Sequence, residues 1–236
     1  LITIDIWTDF VCEYCYIGKR ELENALVSTG LKDQVKINYK AFQLMPDAPT
    51  TPEQTMLEAY SQHVGKPIHM IHEIISGPIA RAKSIGIDIR FDNLMSQSTL
   101  KAHRVAKYAQ EMGKGELLQD RLFYSLFTEN KFLADTEQLV EIAKQVGLDE
   151  EAVRKVANDE TAYLSEVQND KNAAAKLGVR GVPYYVFNNQ YAVSGAQPQA
   201  VFAKLLDQLK EELGMTTPLK TFGENSAACG PEGCSI

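Results

Sequence analysis

The chain has 236 residues, 44% of them hydrophobic and 23% charged, which is enough to bury a full core in one domain or two closely associated ones. A formal net charge of -7 gives no electrostatic support to binding nucleic acid or an anionic membrane surface. No stretch approaches 18 consecutive apolar residues, and the four cysteines fall into two close pairs, Cys12/Cys15 and Cys229/Cys234.

Ile2, Ile4 and Ile6 alternate with polar neighbours, and Val35-Lys36-Ile37-Asn38-Tyr39 does the same, so both segments read as strands. Between them, from Cys15 to about Ser28, Ile17, Leu22, Ala25 and Leu26 recur near helical spacing, and Gly30 suits a left-handed cap. The prolines at 46, 49 and 52 end that β-α-β unit, and a helical block follows to Asp159. Its apolar stripes are Leu100/Val105/Ala109/Met112, Leu118/Leu122/Phe123/Leu126/Phe127 and Leu139/Val140/Ala143/Val146, with Asp149 placed to cap a further short helix.

Glu160 to Leu177 reads as another helix, stopped by Gly178. The period then returns to two in residues 183–187 and 191–193, with Asn188-Asn189 supplying hairpin-turn chemistry between them. Pro198 opens a last helix whose apolar face is Val201, Phe202, Leu205, Leu206 and Leu209, ending at Gly214. The order β-α-β, helices, α-β-β-α predicts an α/β thioredoxin fold with an inserted all-helical domain. The thioredoxin-like part is discontinuous, 1–45 plus 160–214; the insertion is 46–159; residues 215–236 form a flexible, cysteine-containing tail.

The chemistry centres on Cys12-Glu13-Tyr14-Cys15, which follows a strand and opens an amphipathic helix. Disulfide exchange needs a thiolate, and a helix N-terminus favours one, so Cys12 reads as the attacking thiol and Cys15 as the resolving thiol. Half of a zinc site has the same spacing; that alternative uses Cys12, Cys15, Cys229 and Cys234 as four thiolates, in a non-catalytic interaction module. The strand-to-helix setting and the distant Val182-Pro183 favour redox chemistry, with no metal. Phe10 and Tyr14 flank the cysteines as an apolar landing surface for peptide.

The run Ile6 to Lys19, with Gly178-Val179-Arg180-Gly181-Val182-Pro183 and Ser194-Gly195-Ala196-Gln197-Pro198, resembles the DsbA-like FrnE family over nearly the whole chain. The resemblance implies that Pro183 is a cis-proline facing the sulfurs and that Val182 offers backbone hydrogen bonds to an extended substrate. The Cys229-x4-Cys234 spacing resembles the extra cysteine pair of FrnE-type members. One departure stands out: family members usually carry proline and an aromatic or histidine between the cysteines, where this chain has Glu13-Tyr14. A carboxylate there opposes thiolate charge and shifts the couple toward reduction. Arg180 offsets it only if it points at the sulfurs; otherwise it is a solvated loop charge.

The function expected is a protein disulfide reductase or isomerase of the cytoplasm, with no cofactor beyond the dithiol and an external thiol such as glutathione as reductant. Its partners are protein or peptide disulfides. A glutathione-dependent isomerase or transferase, such as 2-hydroxychromene-2-carboxylate isomerase, shares the fold, but its relatives typically have serine where Cys12 stands. The tail reaches far enough, and tethering concentrates thiols to roughly millimolar, for Cys229/Cys234 to act as a redox relay; a structural disulfide and metal binding are the other readings. Of the remaining residues, Asp9 reads as a helix cap or proton carrier, Trp7 as core, and His63, His69 and His72 as surface groups. His103 falls on the polar side of its helix.

Overall fold

The computed structural model describes residues 1–215, 228–230 and 233–235. The first three elements are β1 (Ile2–Thr8), α1 (Glu13–Ser28) and β2 (Val35–Ala41), with a single 3-10 turn at Lys32–Gln34. The helical block is α2 (Met56–Val64), α3 (Ile68–Ser84), α4 (Leu100–Glu111), α5 (Gly115–Phe127), α6 (Thr136–Gln145) and α7 (Glu150–Asn158). Then come α8 (Leu164–Lys176), β3 (Tyr184–Phe187), β4 (Tyr191–Ser194) and α9 (Gln199–Glu212), and at the end a short pair, β5 (Ala228–Gly230) and β6 (Gly233–Ser235).

The main sheet has the order β2-β1-β3-β4. β1 runs parallel to β2, as the intervening helical crossover requires, with Ile2 opposite Val35 and Thr8 opposite Ala41. β3 is antiparallel to both β1 and β4. Asn188 and Asn189 both take positive φ (49° and 54°) in the β3–β4 turn, the conformation their residue type tolerates. The two-residue period sorts β1 by face. Ile2, Ile4 and Ile6 pack with Leu22, Leu26, Phe202 and Leu206 of α1 and α9, whereas Trp7 packs with Ala174 and Val179 at α8 on the other face.

A second core fills the helical block, and it takes in Phe10, Val11, Cys12, Cys15, Tyr16 and Ile17. Thus α1 bridges two cores, its first turns facing the insertion and its later turns the sheet. Buried Lys19 pairs with Glu23 on its own helix and ties that helix to the insertion through Asp120 of α5.

Two sequence expectations shift. α8 begins four residues later than expected, because the Asp159 carboxylate accepts the Thr161 N–H at 2.9 Å and hydroxyl at 2.7 Å, making a turn that passes through Tyr163 at φ 57°. The block before residue 100 resolves into α2, opened by a Thr55/Glu58 capping box, and α3. Residues 216–227, 231, 232 and 236 lie outside the described residues, and with them most of the expected flexible tail.

Candidate active site

Cys12 is the N-cap of α1, in extended backbone (φ -95°, ψ 109°), so its side chain stands at the start of the helix. Its carbonyl accepts the N–H groups of Cys15 at 3.0 Å and Tyr16 at 3.4 Å, and its own N–H donates to Asp9 O at 3.2 Å. Both cysteines are free thiols and are largely covered, Cys12 being 5% and Cys15 2% exposed. The Val182–Pro183 bond is cis, and the Cys12 thiol donates to Val182 O at 3.6 Å. Residues 170 positions apart in sequence therefore meet at the dithiol.

The helix end alone does not set the acidity of Cys12. Its thiol is held well above the ordinary range, first by its hydrogen bond with the Cys15 thiol, then by burial, and further by the charges of Cys15 and Glu13. Two adjacent sulfurs cannot both ionise freely, so the second proton is retained by the pair.

Gly18 explains how α1 reaches the Pro183 loop. A Cβ there would run into Tyr185 Oη and lie 3.2 Å from Pro183 Cγ and 3.3 Å from Ala196 Cα. A glycine inside an amphipathic helical pattern is the available sequence signal for such close approach. Tyr185 Oη is buried there with no hydrogen-bond partner among the described residues.

Several expected residues take other places. Phe10 is fully buried (0% exposed), packed with tilted rings against His103 at 4.8 Å and Phe123 at 5.5 Å, so it is core and not a landing surface. Tyr14, between the two cysteines in sequence, is 41% exposed. Asp9 does not cap α1: Oδ2 accepts the Leu44 N–H at 2.8 Å and Oδ1 faces His103 Nε2 at 3.2 Å. His103 is accordingly buried and not on a polar face; Asp9 and Phe10 of the loop after β1 cover it. Trp7 is core, donating Nε1–H to Asp170 O at 2.9 Å. Arg180 is exposed, on a cleft shared with Val182, Pro183, Tyr184 and Gly195.

Glu13 is 8% exposed and accepts the Tyr60 hydroxyl of α2 at 3.4 Å. Tyr60 was not legible as a site residue, since its contact exists only once the insertion folds back over the cysteine loop. Cys229 and Cys234 are direct cross-strand partners in the β5–β6 pair. Their side chains lie outside the described residues, and so does the four-thiolate metal set. Among the described residues, no cluster of three or more His, Cys, Asp or Glu is placed to hold a metal ion, and no helix is long and apolar enough to cross a membrane.

A family model for the DsbA-like thioredoxin domain matches residues 3–207. The chain belongs to this family. Within the DsbA-like proteins it is similar to a probable DsbA oxidoreductase from Streptomyces coelicolor, with 34% identity, a TM-score of 0.83, and coverage of 100% of this chain and 99% of that one. A 2-hydroxychromene-2-carboxylate isomerase is 14% identical with a TM-score of 0.65, over 91% of this chain and all of that one. The cytosolic disulfide reductase DsbM from Pseudomonas aeruginosa, solved with GSH, is 16% identical with a TM-score of 0.60, over 88% and 99%. The last two share the fold with this chain. The sequence thus led to the family, a DsbA-like thiol oxidoreductase fold with helices inserted between the halves of a thioredoxin domain.

Proposed function

We propose that this DsbA-like protein is a protein thiol–disulfide oxidoreductase acting as a reductase or isomerase. The observation that carries this reading is the pair of free thiols at the start of α1, with Cys12 Sγ 3.6 Å from Val182 O on the cis-proline loop. Cys12 thiolate attacks one sulfur of a substrate disulfide and the S–S bond breaks, releasing one substrate thiol and leaving a mixed disulfide. Cys15 thiolate then attacks Cys12 Sγ, releasing the second substrate thiol and closing the Cys12–Cys15 disulfide. Two equivalents of an external thiol such as glutathione return the pair to the dithiol.

The cleft beside Val182 and Pro183 is where an extended peptide disulfide would lie, with the exposed Tyr14 between the two cysteines as a further apolar contact. The upward hold on the Cys12 proton supports the reducing direction, because a thiolate that is not stabilised leaves the reduced form less favoured, and such a couple is a weak oxidant. That direction fits a reducing compartment, for which we propose the cytoplasm. Cys229 and Cys234 would form a second redox pair: directly opposed residues of antiparallel strands have Cα atoms about 4.5–5.5 Å apart, within disulfide reach.

Insulin reduction with glutathione as electron source tests the reading. Activity lost in Cys12→Ser supports it, and activity retained in Cys12→Ser overturns it. The fold likeness to 2-hydroxychromene-2-carboxylate isomerase favours a second reading, glutathione-dependent isomerisation of a small molecule. Glutathione-dependent isomerisation that survives Cys12→Ser, in a protein that does not reduce insulin, would establish that one instead.

A further inference from the structure

Among the described residues, every arginine of the chain but one has a partner. Arg20, Arg81, Arg90, Arg121 and Arg154 each pair with a carboxylate. Arg104 donates to the carbonyls that end α7, Val156 O at 2.8 Å and Ala157 O at 3.1 Å. Arg180 is exposed on the loop before the cis bond, and no aspartate or glutamate lines the cleft it borders. Its charge is not directed at the dithiol either: the charges that act most on Cys12 are those of Cys15 and Glu13.

The cleft encloses about 360 Å³ between residues 178–184 and Ser194-Gly195. Its wall includes Val182, whose carbonyl lies 3.6 Å from Cys12 Sγ. Arg180 stands two positions before Val182, so their Cα atoms are at most about 7 Å apart. The N–H groups of Arg180 and Gly181 donate to no group among the described residues. A guanidinium without a counter-ion therefore lies a short reach from the attacking sulfur, in a chain whose net charge is -7. A guanidinium fork matches a carboxylate, and uncommitted backbone N–H groups favour an anion further.

The ligand that uses all these groups carries a sulfur for Cys12 and, a few bonds away, a carboxylate for Arg180. Glutathione has that form, a cysteine with a carboxylate-bearing residue on each side. We propose that Arg180 is a specificity-determining residue that binds a glutathione carboxylate while the glutathione sulfur meets Cys12. This rests on the thiol–disulfide reading above and specifies the charge of the small thiol it exchanges with. In the exchange, Cys12 thiolate bonds to one sulfur of oxidised glutathione and the other sulfur leaves as glutathione thiolate. Cys15 thiolate then displaces the bound glutathione, so the dithiol is oxidised and two glutathiones are released reduced. Arg180 takes no part in these bond changes; it speeds encounter and selects the partner, an effect that salt screens.

The experiment measures how fast the reduced full chain forms adducts at Cys12 and Cys15, by acid quench and peptide mass spectrometry. Oxidised glutathione (anionic), 2-hydroxyethyl disulfide (neutral) and cystamine (cationic) are the probes. The readout is each charged probe's rate divided by the neutral one's, which cancels any general effect of a substitution on the dithiol. Arg180→Glu is expected to lower the glutathione ratio about tenfold or more and to raise the cystamine ratio; Arg180→Ala lowers the glutathione ratio about three- to tenfold. Arg180→Lys, which keeps the charge without the fork, falls between wild type and Arg180→Ala. Going from about 0.01 M to about 1 M salt should bring the wild-type ratio close to that of Arg180→Ala. An equal glutathione ratio in wild type and Arg180→Glu would overturn the proposal, as would a wild-type ratio independent of salt. Peptide disulfides with glutamate or glutamine beside the cysteine test the other source of a carboxylate: dependence on Arg180 for the glutamate peptide and not for glutathione also overturns it. Cys12→Ser is the control. If Cys15 in that variant takes up the neutral probe at the wild-type rate, the thiol–disulfide reading itself fails; if it does not, and the ratio is unchanged in Arg180→Glu, only the role of Arg180 fails.

Discussion

Replacing Gly18 with alanine probes the packing that seats the cysteine helix against the Pro183 loop. In an open helix the change gains about 1 kcal/mol from backbone propensity. Here the new methyl group runs into Tyr185 Oη and sits 3.2 Å from Pro183 Cγ and 3.3 Å from Ala196 Cα. The Tyr185 ring cannot swing aside, being fully buried and packed edge-on against Phe202 at 5.0 Å. Overpacking of this kind costs about 1–3 kcal/mol, and with the carbon placed against a fixed ring the upper part of that range applies, so a net loss of up to about 2 kcal/mol is expected. Tyr185→Phe relieves the clash and also removes a buried hydroxyl without a partner, a group that costs about 1–3 kcal/mol to desolvate. On that background Gly18→Ala is expected to lose much less, giving a coupling energy of about 1 kcal/mol or more. Urea denaturation of wild type, both single variants and the double variant measures it. A Gly18→Ala protein more stable than wild type, or a cycle additive within about 0.3 kcal/mol, would refute the packing argument.

Other expectations follow from the same site. Asp9→Ala leaves the buried His103 Nε2 and the part-buried Leu44 N–H without their partner, and should cost roughly 1–3 kcal/mol in urea denaturation; a loss below about 0.5 kcal/mol would contradict the bridging role. Because burial holds the Glu13 carboxyl above its ordinary range, its contribution to stability is full below about pH 4.3 and is lost as pH rises through the folded value. The stability of Glu13→Gln relative to wild type should therefore increase from acid toward neutral pH, and a difference independent of pH would contradict the burial. Equilibration with glutathione should give a reduction potential well below the roughly −120 mV of a strongly oxidising dithiol; a value that oxidising would contradict the reducing direction.

The sheet and most helix ends were legible because they rest on local rules. Alternation marked β1 and β2, Asn188-Asn189 marked the hairpin, and Gly30, Gly113, Gly147, Gly178 and Gly214 all take positive φ next to the helix ends they were expected to mark. The dithiol was legible for the same reason, since a strand, two cysteines and an amphipathic helix are contiguous in sequence. Residues misread or missed acquire their roles through distant partners. Phe10 looked like surface because nothing near it in sequence reveals that α4 and α5 close over it through His103 and Phe123. His103 looked polar-facing because its partner, Asp9, lies 94 residues away. Tyr60 stood in a block whose first helices had no distinct stripe, and its contact with Glu13 depends on the insertion folding back.

Trapping the covalent intermediate tests the central assignment most directly. The reduced Cys15→Ser and Cys12→Ser proteins are each mixed with a peptide disulfide, and the modified sulfur is located by mass spectrometry. Cys15→Ser is expected to accumulate a mixed disulfide on Cys12, while Cys12→Ser accumulates none on Cys15. A stable adduct on Cys15 in place of Cys12, or no adduct on either cysteine, would contradict attack by Cys12 and the oxidoreductase assigned to it.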